Sequence, residues 1–259
     1  MKILRLGQAI NSANSPSPAS ELLNEYSLEF DGSNDRCVIG DDDIFSFTTG
    51  GVDEPFSFSL WAKISGSGSD QGLIGKDAAT GSEYIIALDS SDKVLFRLYD
   101  ADTTNNYIQV LTDAALATGT WIHIVCTYDG SETQGGLTIY TNGIAPGQTA
   151  STTGLYNHGM DNTIAALSYG VWDRARSFYS GHLDELSCWD KELSSHEVTS
   201  LYNSGKPTDV SSIQGLIGWW RNGDTAGTSV YPTIQDYSGL GNDATMTNMA
   251  SGDIVTVVP

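Results

Sequence analysis

The stretch that most constrains the fold is FYSGHLDELSCWDKELSSHEVTSLYNSG, from Phe178 to Gly205. Alternation over Gly181–Trp189 predicts a strand with two unlike faces. His182, Asp184, Leu186 and Cys188 are expected on one side, and Leu183, Glu185, Ser187 and Trp189 on the other. Ser194 followed three residues later by Glu197 forms a capping box. Behind it, Val198, Leu201 and Tyr202 give a short helix one apolar face, and Gly205 and Pro207 stop it. The order is strand, aromatic, turn, capped helix.

The rest of the chain reads as β. Two short strands flank the Asp31-Gly32 turn signal, and a single helical turn is expected near Ile44. FSFSLWAKI (Phe56–Ile64) places Phe56, Phe58, Leu60 and Ala62 on one face. LIGKD, EYIIALD and KVLFRLYD follow as strands between Gly and Ser-Asp punctuation. Ile108–Val110, GTWIHIVCTYDGS, LTIYTNG, TIAALSYG and GLIGWWRNGD continue the pattern, giving roughly a dozen strands and one or two short helices. No long linker divides residues 25–259, which read as one domain behind a polar, Ser/Pro-rich arm at residues 1–24.

Twelve basic against thirty-two acidic residues leave a formal charge of −20, which repels nucleic acid and anionic membranes. Neither is an expected partner, and no apolar run approaches the roughly 20 residues of a membrane helix. Cys37, Cys126 and Cys188 are far apart and lack any CxxC spacing, so they read as small hydrophobes; Cys37 and Cys188 could meet only if their strands pair. The N-terminus MKILRLGQAINSANSPSPAS has no h-region of about 7–15 apolar residues, so it does not read as a signal peptide. Such an arm stays ordered only by docking, preferably on a neighbouring subunit, which points to a homo-oligomer.

Several segments in one order carry a resemblance: SLEFDGSND (Ser27–Asp35), FSFSLW (Phe56–Trp61), GTWIHIVCTYDGS with LTIYTNG, the Phe178–Tyr202 stretch, and GWWRNGD followed by DYSGLGNDATMTN. Together they resemble laminin-G-like and pentraxin-like domains over residues 26–248. The resemblance implies an all-β concanavalin-A-like jelly roll of two curved antiparallel sheets. That fold hosts sugar-binding modules, adhesion domains, glycoside hydrolases and virion components, so function rests on individual residues.

A retaining hydrolase needs two carboxylates about 5 Å apart on one face. The Glu-x-Asp-x-Glu strand of related hydrolases is missing, Asp184 and Glu185 are adjacent and therefore expected on opposite faces, and His123 and His182 lack a nucleophile motif. The expectation is no enzyme. By resemblance, a structural Ca2+ is implied between the opening loop and the closing strand, held by Asp31, Asp35, Asp184 and the Gly32 carbonyl. The alternative is that Asp31 makes an Asx turn and Asp184 caps backbone donors. The pentraxin type of calcium site does not carry over, because Ser168, Tyr169 and Gly170 stand where its acids should fall.

A sugar surface needs exposed aromatics beside polar groups. The loop SYGVWDRARSFYSG supplies Tyr169, Trp172, Asp173, Arg174, Arg176 and Tyr179 as candidate ligand contacts. Alternatively, Trp172 and Phe178 fill the sandwich edge while the arginines pair with nearby acids. Trp219 and Trp220 are expected to pack in the core. The leading expectation is a non-catalytic structural or adhesion protein on the surface of a virus or phage particle, possessing a glycan-binding capacity. A free-standing extracellular or cell-surface lectin is the alternative, and a glycanase the third.

Overall fold

A computed structural model describes residues 22–66, 68–79, 81–101, 103–173, 176–224 and 231–259. Residues 1–21 of the expected arm, and Arg174, lie outside the described residues. The seven-stranded sheet runs Leu137–Thr141, Trp121–Tyr128, Phe56–Ile64, Ser180–Trp189, Ser27–Asp31, Ile254–Val255, with Leu216–Trp220 paired to the second half of Ser180–Trp189. The nine-stranded sheet runs Gln148–Thr153, Thr103–Thr112, Val94–Asp100, Gly81–Leu88, Gln71–Ala78, Leu167–Tyr169, Arg36–Gly40, Ala244–Thr247, Thr233–Ile234. The pairings are antiparallel, giving the jelly-roll sandwich that the sequence implies.

Period-2 alternation fills the space between the sheets. Phe56, Phe58, Leu60, Ala62 and Ile64 point inward against Tyr84, Ile86, Phe96 and Leu98 of the facing sheet. Phe47, Phe56, Phe58, Tyr84 and Phe96 meet ring to ring with centroids 4.2–6.2 Å apart. Each such burial stabilises by about 1.5–3 kcal/mol.

The reverse side of the seven-stranded sheet is covered as well. The helix Ser195–Tyr202 carries the capping box read from the sequence, with Ser194 accepting from the Glu197 amide and Glu197 accepting from the Ser194 amide. Its buried Val198 and Leu201 close over Val125, Trp189 and Trp219. Under this cover even Ser57, Ser59 and Trp61, on the side of their strand facing away from the core, are buried. The single turn expected near Ile44 is a 3-10 turn at Asp43–Phe45.

One expectation fails on geometry. Alternation does not run through the closing strand. Glu185 adopts φ 46°, and the pairing to Phe56–Ile64 shifts between Asp184 and Ser187. Leu183 before the irregularity and Leu186 and Cys188 after it all enter the core, so Asp184 and Glu185 share the side where strict alternation allows one residue. Cys37 and Cys188, whose meeting the sequence leaves open, sit in opposite sheets whose strands do not pair, and all three cysteines are free and buried. Cys37 Sγ instead lies 3.8 Å from Met249 Sδ, and burial pushes its thiol up to about 12.

Candidate functional site

With one sheet roofed by the helix, the outer side of the nine-stranded sheet is the other broad face. Register fixes what it displays. Ile85, Arg97, Gln109 and Ser151 stand in one row across four strands. Arg97 Nε donates to Gln109 Oε1 at 2.9 Å, and Gln109 Nε2 donates to Ser151 Oγ at 3.2 Å. In the adjoining row Tyr99 faces Tyr107. The Arg97 guanidinium lies 4.1 Å above the Tyr107 ring centroid and 5.5 Å from that of Trp172. Arg97, Tyr107, Gln109, Leu111 and Ser151 are each half-buried, on a floor made by buried Ile85, Ala87 and Leu95.

The wall of this strip is the hairpin Val171–Trp172 with Ser177–Phe178. It lies across Gln71–Ala78, and Gly72 is the reason it can. A Cβ at Gly72 would overlap the Val171 carbonyl carbon and the Trp172 amide nitrogen. Trp172 then donates its indole N–H to buried Asp77, which also accepts from Ser82 and Tyr99 hydroxyls.

The loop singled out in the sequence is thus this hairpin, but most of its aromatics are not platforms. Tyr169 and Tyr179 are fully buried against Phe30, their hydroxyls donating to Asn222 Oδ1 at 2.9 Å and the His182 carbonyl at 3.3 Å. Both rings belong to the core between the sheets, which is why exposure fails. Trp172 is 8% exposed and forms the wall rather than an open stacking surface. Asp173 pairs with Arg36 at 3.1 Å, and Arg176 is exposed at the hairpin turn. Nothing local in the sequence groups Arg97, Tyr107, Gln109 and Ser151: Arg97 alternates outward in KVLFRLYD, but the strand expected next spans only Ile108–Val110, whereas it runs Thr103–Thr112. Only the register joins them.

The implied calcium set does not assemble. Asp31 pairs opposite Ser180, four register positions from Asp184, which at about 3.4 Å per residue is roughly 14 Å along the strand. Asp31 Oδ1 accepts from the Ser33 amide at 2.7 Å, and Asp35 Oδ2 accepts from the Asp31 amide at 3.0 Å, so the Gly32 loop is closed by its own amides. Burial pushes the Asp35 carboxyl up. Among the described residues no group of three or more His, Cys, Asp or Glu side chains is placed to hold a metal ion.

Asp184 does cap a backbone donor, accepting from the Glu185 amide at 2.8 Å, and it takes a bond from Asn24 Nδ2 at 3.1 Å. Burial, then the neighbouring Glu185 charge, raises it well above the carboxylate range. Glu185 accepts from the Trp219 indole at 2.7 Å and Arg221 Nε at 3.0 Å. Burial still outweighs that guanidinium, leaving Glu185 pushed up to about 7. Nearby, Ser59 Oγ and His123 Nε2 are 2.8 Å apart, and burial takes His123 down to about 3. The cavity they share with Glu185 and Ser187 has about 10 Å³, room for one water and no substrate. A larger, open groove of about 610 Å³ lies between the turn at Asn142–Ile144 and the helix end at Tyr202–Ser204.

Comparison with known proteins agrees with this architecture. The laminin-G-like family described as the concanavalin A-like lectin/glucanases superfamily matches residues 31–199. No curated protein matches the sequence. Among solved structures, a Bacteroides ovatus protein provisionally named as carbohydrate-binding superposes with TM-score 0.61 at 16% identity, over 88% of this chain and 59% of its own. The receptor binding domain of botulinum neurotoxin D gives 0.50 at 16% identity, over 72% of this chain and 45% of its own. That of the C/D mosaic serotype gives 0.50 at 17%, over 72% and 44%. The chain therefore spans about half the length of these proteins, and at such identities they share a fold. On the family match, the chain belongs to the concanavalin A-like lectin/glucanases superfamily.

Proposed function

We propose that this protein is a non-catalytic carbohydrate-binding module whose ligand lies along the strip of Arg97, Tyr107, Gln109 and Ser151 beside the Trp172 hairpin. The observation that carries the reading is that strip: an aromatic ring, a guanidinium, an amide and a hydroxyl, half-exposed in fixed register beside the hairpin on the sheet opposite the helix. Sugar recognition uses such convergent polar groups beside an aromatic face. The adjacent acids Asp184 and Glu185 are buried and engaged by Asn24, Trp219 and Arg221, which supports adhesion rather than hydrolysis. Affinity electrophoresis through polysaccharide gels tests this. Tyr107→Ala with Gln109→Ala should abolish retardation by a retained polysaccharide while the melting temperature stays within about 2 °C. Retardation unchanged in the double variant would place the ligand elsewhere, first of all in the groove at Asn142–Ile144.

The proposed setting is the surface of a virus or phage particle, with the arm docked on a neighbouring subunit. Supporting it, the chain leaves the described body from an anchored point. Leu22 packs beside the helix-side cluster, the Leu23 carbonyl accepts from Arg221, and Asn24 bonds Asp184. Deleting residues 1–21 should then lower the oligomeric state in light scattering; an unchanged mass would remove the subunit-docking role.

A further inference from the structure

Arg97 differs from the other engaged arginines. Arg36 is paired with Asp173 and Arg221 with Glu185, as expected where acids outnumber bases by twenty. Arg97 forms no ion pair with a described residue. Its Nε is taken by the neutral Gln109 amide, and its terminal nitrogens donate to no described residue. The guanidinium is nevertheless held, stacked over Tyr107 and 5.7 Å from the Tyr99 centroid. Its flat side is thus occupied by aromatic rings, its Nε edge by Gln109, and its Nη1/Nη2 edge is left for a partner.

From this we infer that the strip selects a glycan bearing a carboxylate, such as a hexuronate or a sialate; the inference rests on the binding reading above. A planar two-nitrogen edge matches a carboxylate bidentately, and a side chain already fixed by stacking loses little freedom on binding. Gln109 spends its carbonyl on Arg97 and one amide hydrogen on Ser151, so the Ser151 hydroxyl hydrogen points onward as a donor to the same ligand. Tyr107, beside the fork, supplies apolar contact for the pyranose ring. The nearest acids on this face are already engaged: Asp77 by Trp172, Tyr99 and Ser82, and Asp173 by Arg36. Asp113, next along this face beyond Leu111, is engaged as well, accepting from the Thr149 hydroxyl at 2.7 Å.

Calorimetric titration of the whole protein against four probes tests the inference: oligogalacturonate, its methyl ester, 3′-sialyllactose and lactose. A carboxylated probe should bind at least tenfold tighter than its neutral counterpart, the ester for galacturonate and lactose for sialyllactose. The acid that binds identifies the sugar class. Arg97→Gln should erase that difference, and Arg97→Lys, which keeps charge but loses the fork, should restore only part of it. Equal affinity for charged and neutral members of a pair, unaffected by Arg97→Gln, overturns the carboxylate selection and leaves the binding module standing. Failure of both acids, with retention on a neutral polysaccharide in the gel assay, overturns it likewise. No binding to any glycan in either assay sinks both readings.

Discussion

At the scale of single residues, Glu185 shows how one backbone angle rewrites a surface. A non-glycine residue at φ 46° inside a strand costs of order 1 kcal/mol or more, so the fold holds it there through its side chain. Glu185 accepts from the Trp219 indole and from Arg221, both largely buried. Glu185→Ala leaves these donors facing nothing and should destabilise by about 2–4 kcal/mol in urea unfolding, whereas Glu185→Gln, which keeps an acceptor, should cost clearly less. Equal costs would mean that the bulge, and not the bonds, sets the preference. The sequence shows this residue plainly but not its conformation. Neither Asp184 nor Glu185 is a glycine that would announce a bulge, so alternation assigns them to opposite faces. For the same reason Tyr169 and Tyr179 look like sugar platforms in a polar loop. Their burial follows from Phe30 standing between them, a partner about 140 residues away in sequence.

At the scale of elements, legibility followed how local the determining physics is. The helix Ser195–Tyr202 was readable because its start, face and stop lie within a dozen residues; Ser194→Ala should cost about 1 kcal/mol of stability by chemical denaturation, the ordinary worth of such a cap. The strand Gln148–Thr153 was not readable. It is an edge strand with mostly exposed Thr and Ser, so it lacks the apolar alternation that marks a buried strand, yet it contributes Ser151 to the candidate site. The hairpin Val171–Phe178 was visible as a loop, but its seat on the sheet depends on a missing side chain in another strand. Gly72→Ala should therefore lift the hairpin, expose Trp172 and shift part of the tryptophan emission to the red, with ligand affinity falling in parallel. An alanine variant with native emission would show that the hairpin tolerates a Cβ beneath it.

For the molecule as a whole, the buried acids make stability a function of pH in a direction opposite to that of an ordinary salt-bridged protein. Glu185 and Asp184 on the closing strand face Asp224 and Arg221 beyond the Leu216–Trp220 strand, while Asn24 and the amides of Glu25 and Tyr26 approach from the N-terminal side. Across the water-sized cavity Glu185 meets His123, which burial keeps neutral, so it supplies no second cation. Three carboxylates thus share the charge of Arg221. Folding raises Glu185 from 4.5 to about 7, and burial raises Asp184 and Asp224 as well. A group whose folded pKa is raised binds its proton more tightly in the folded state, so its contribution is complete below the unfolded value and is lost as pH climbs through the folded one. Glu197 runs the other way. Its bond from Lys191 holds it down to about 2, so what it adds is present above 4.5 and lost only under strong acid. The two trends bound an optimum near pH 4.5, with the melting temperature falling steadily from there to pH 8. General self-repulsion of an acidic chain would produce a fall of the same sign. Glu185→Gln helps separate the two causes: it removes one of the three buried titrating groups with little change in total charge, and the slope between about pH 4.5 and 7 should become shallower. A variant that retains the full slope in that window would take Glu185 out of the account, and a wild-type melting temperature that rises toward pH 8 would refute the shared-charge account of the buried acids.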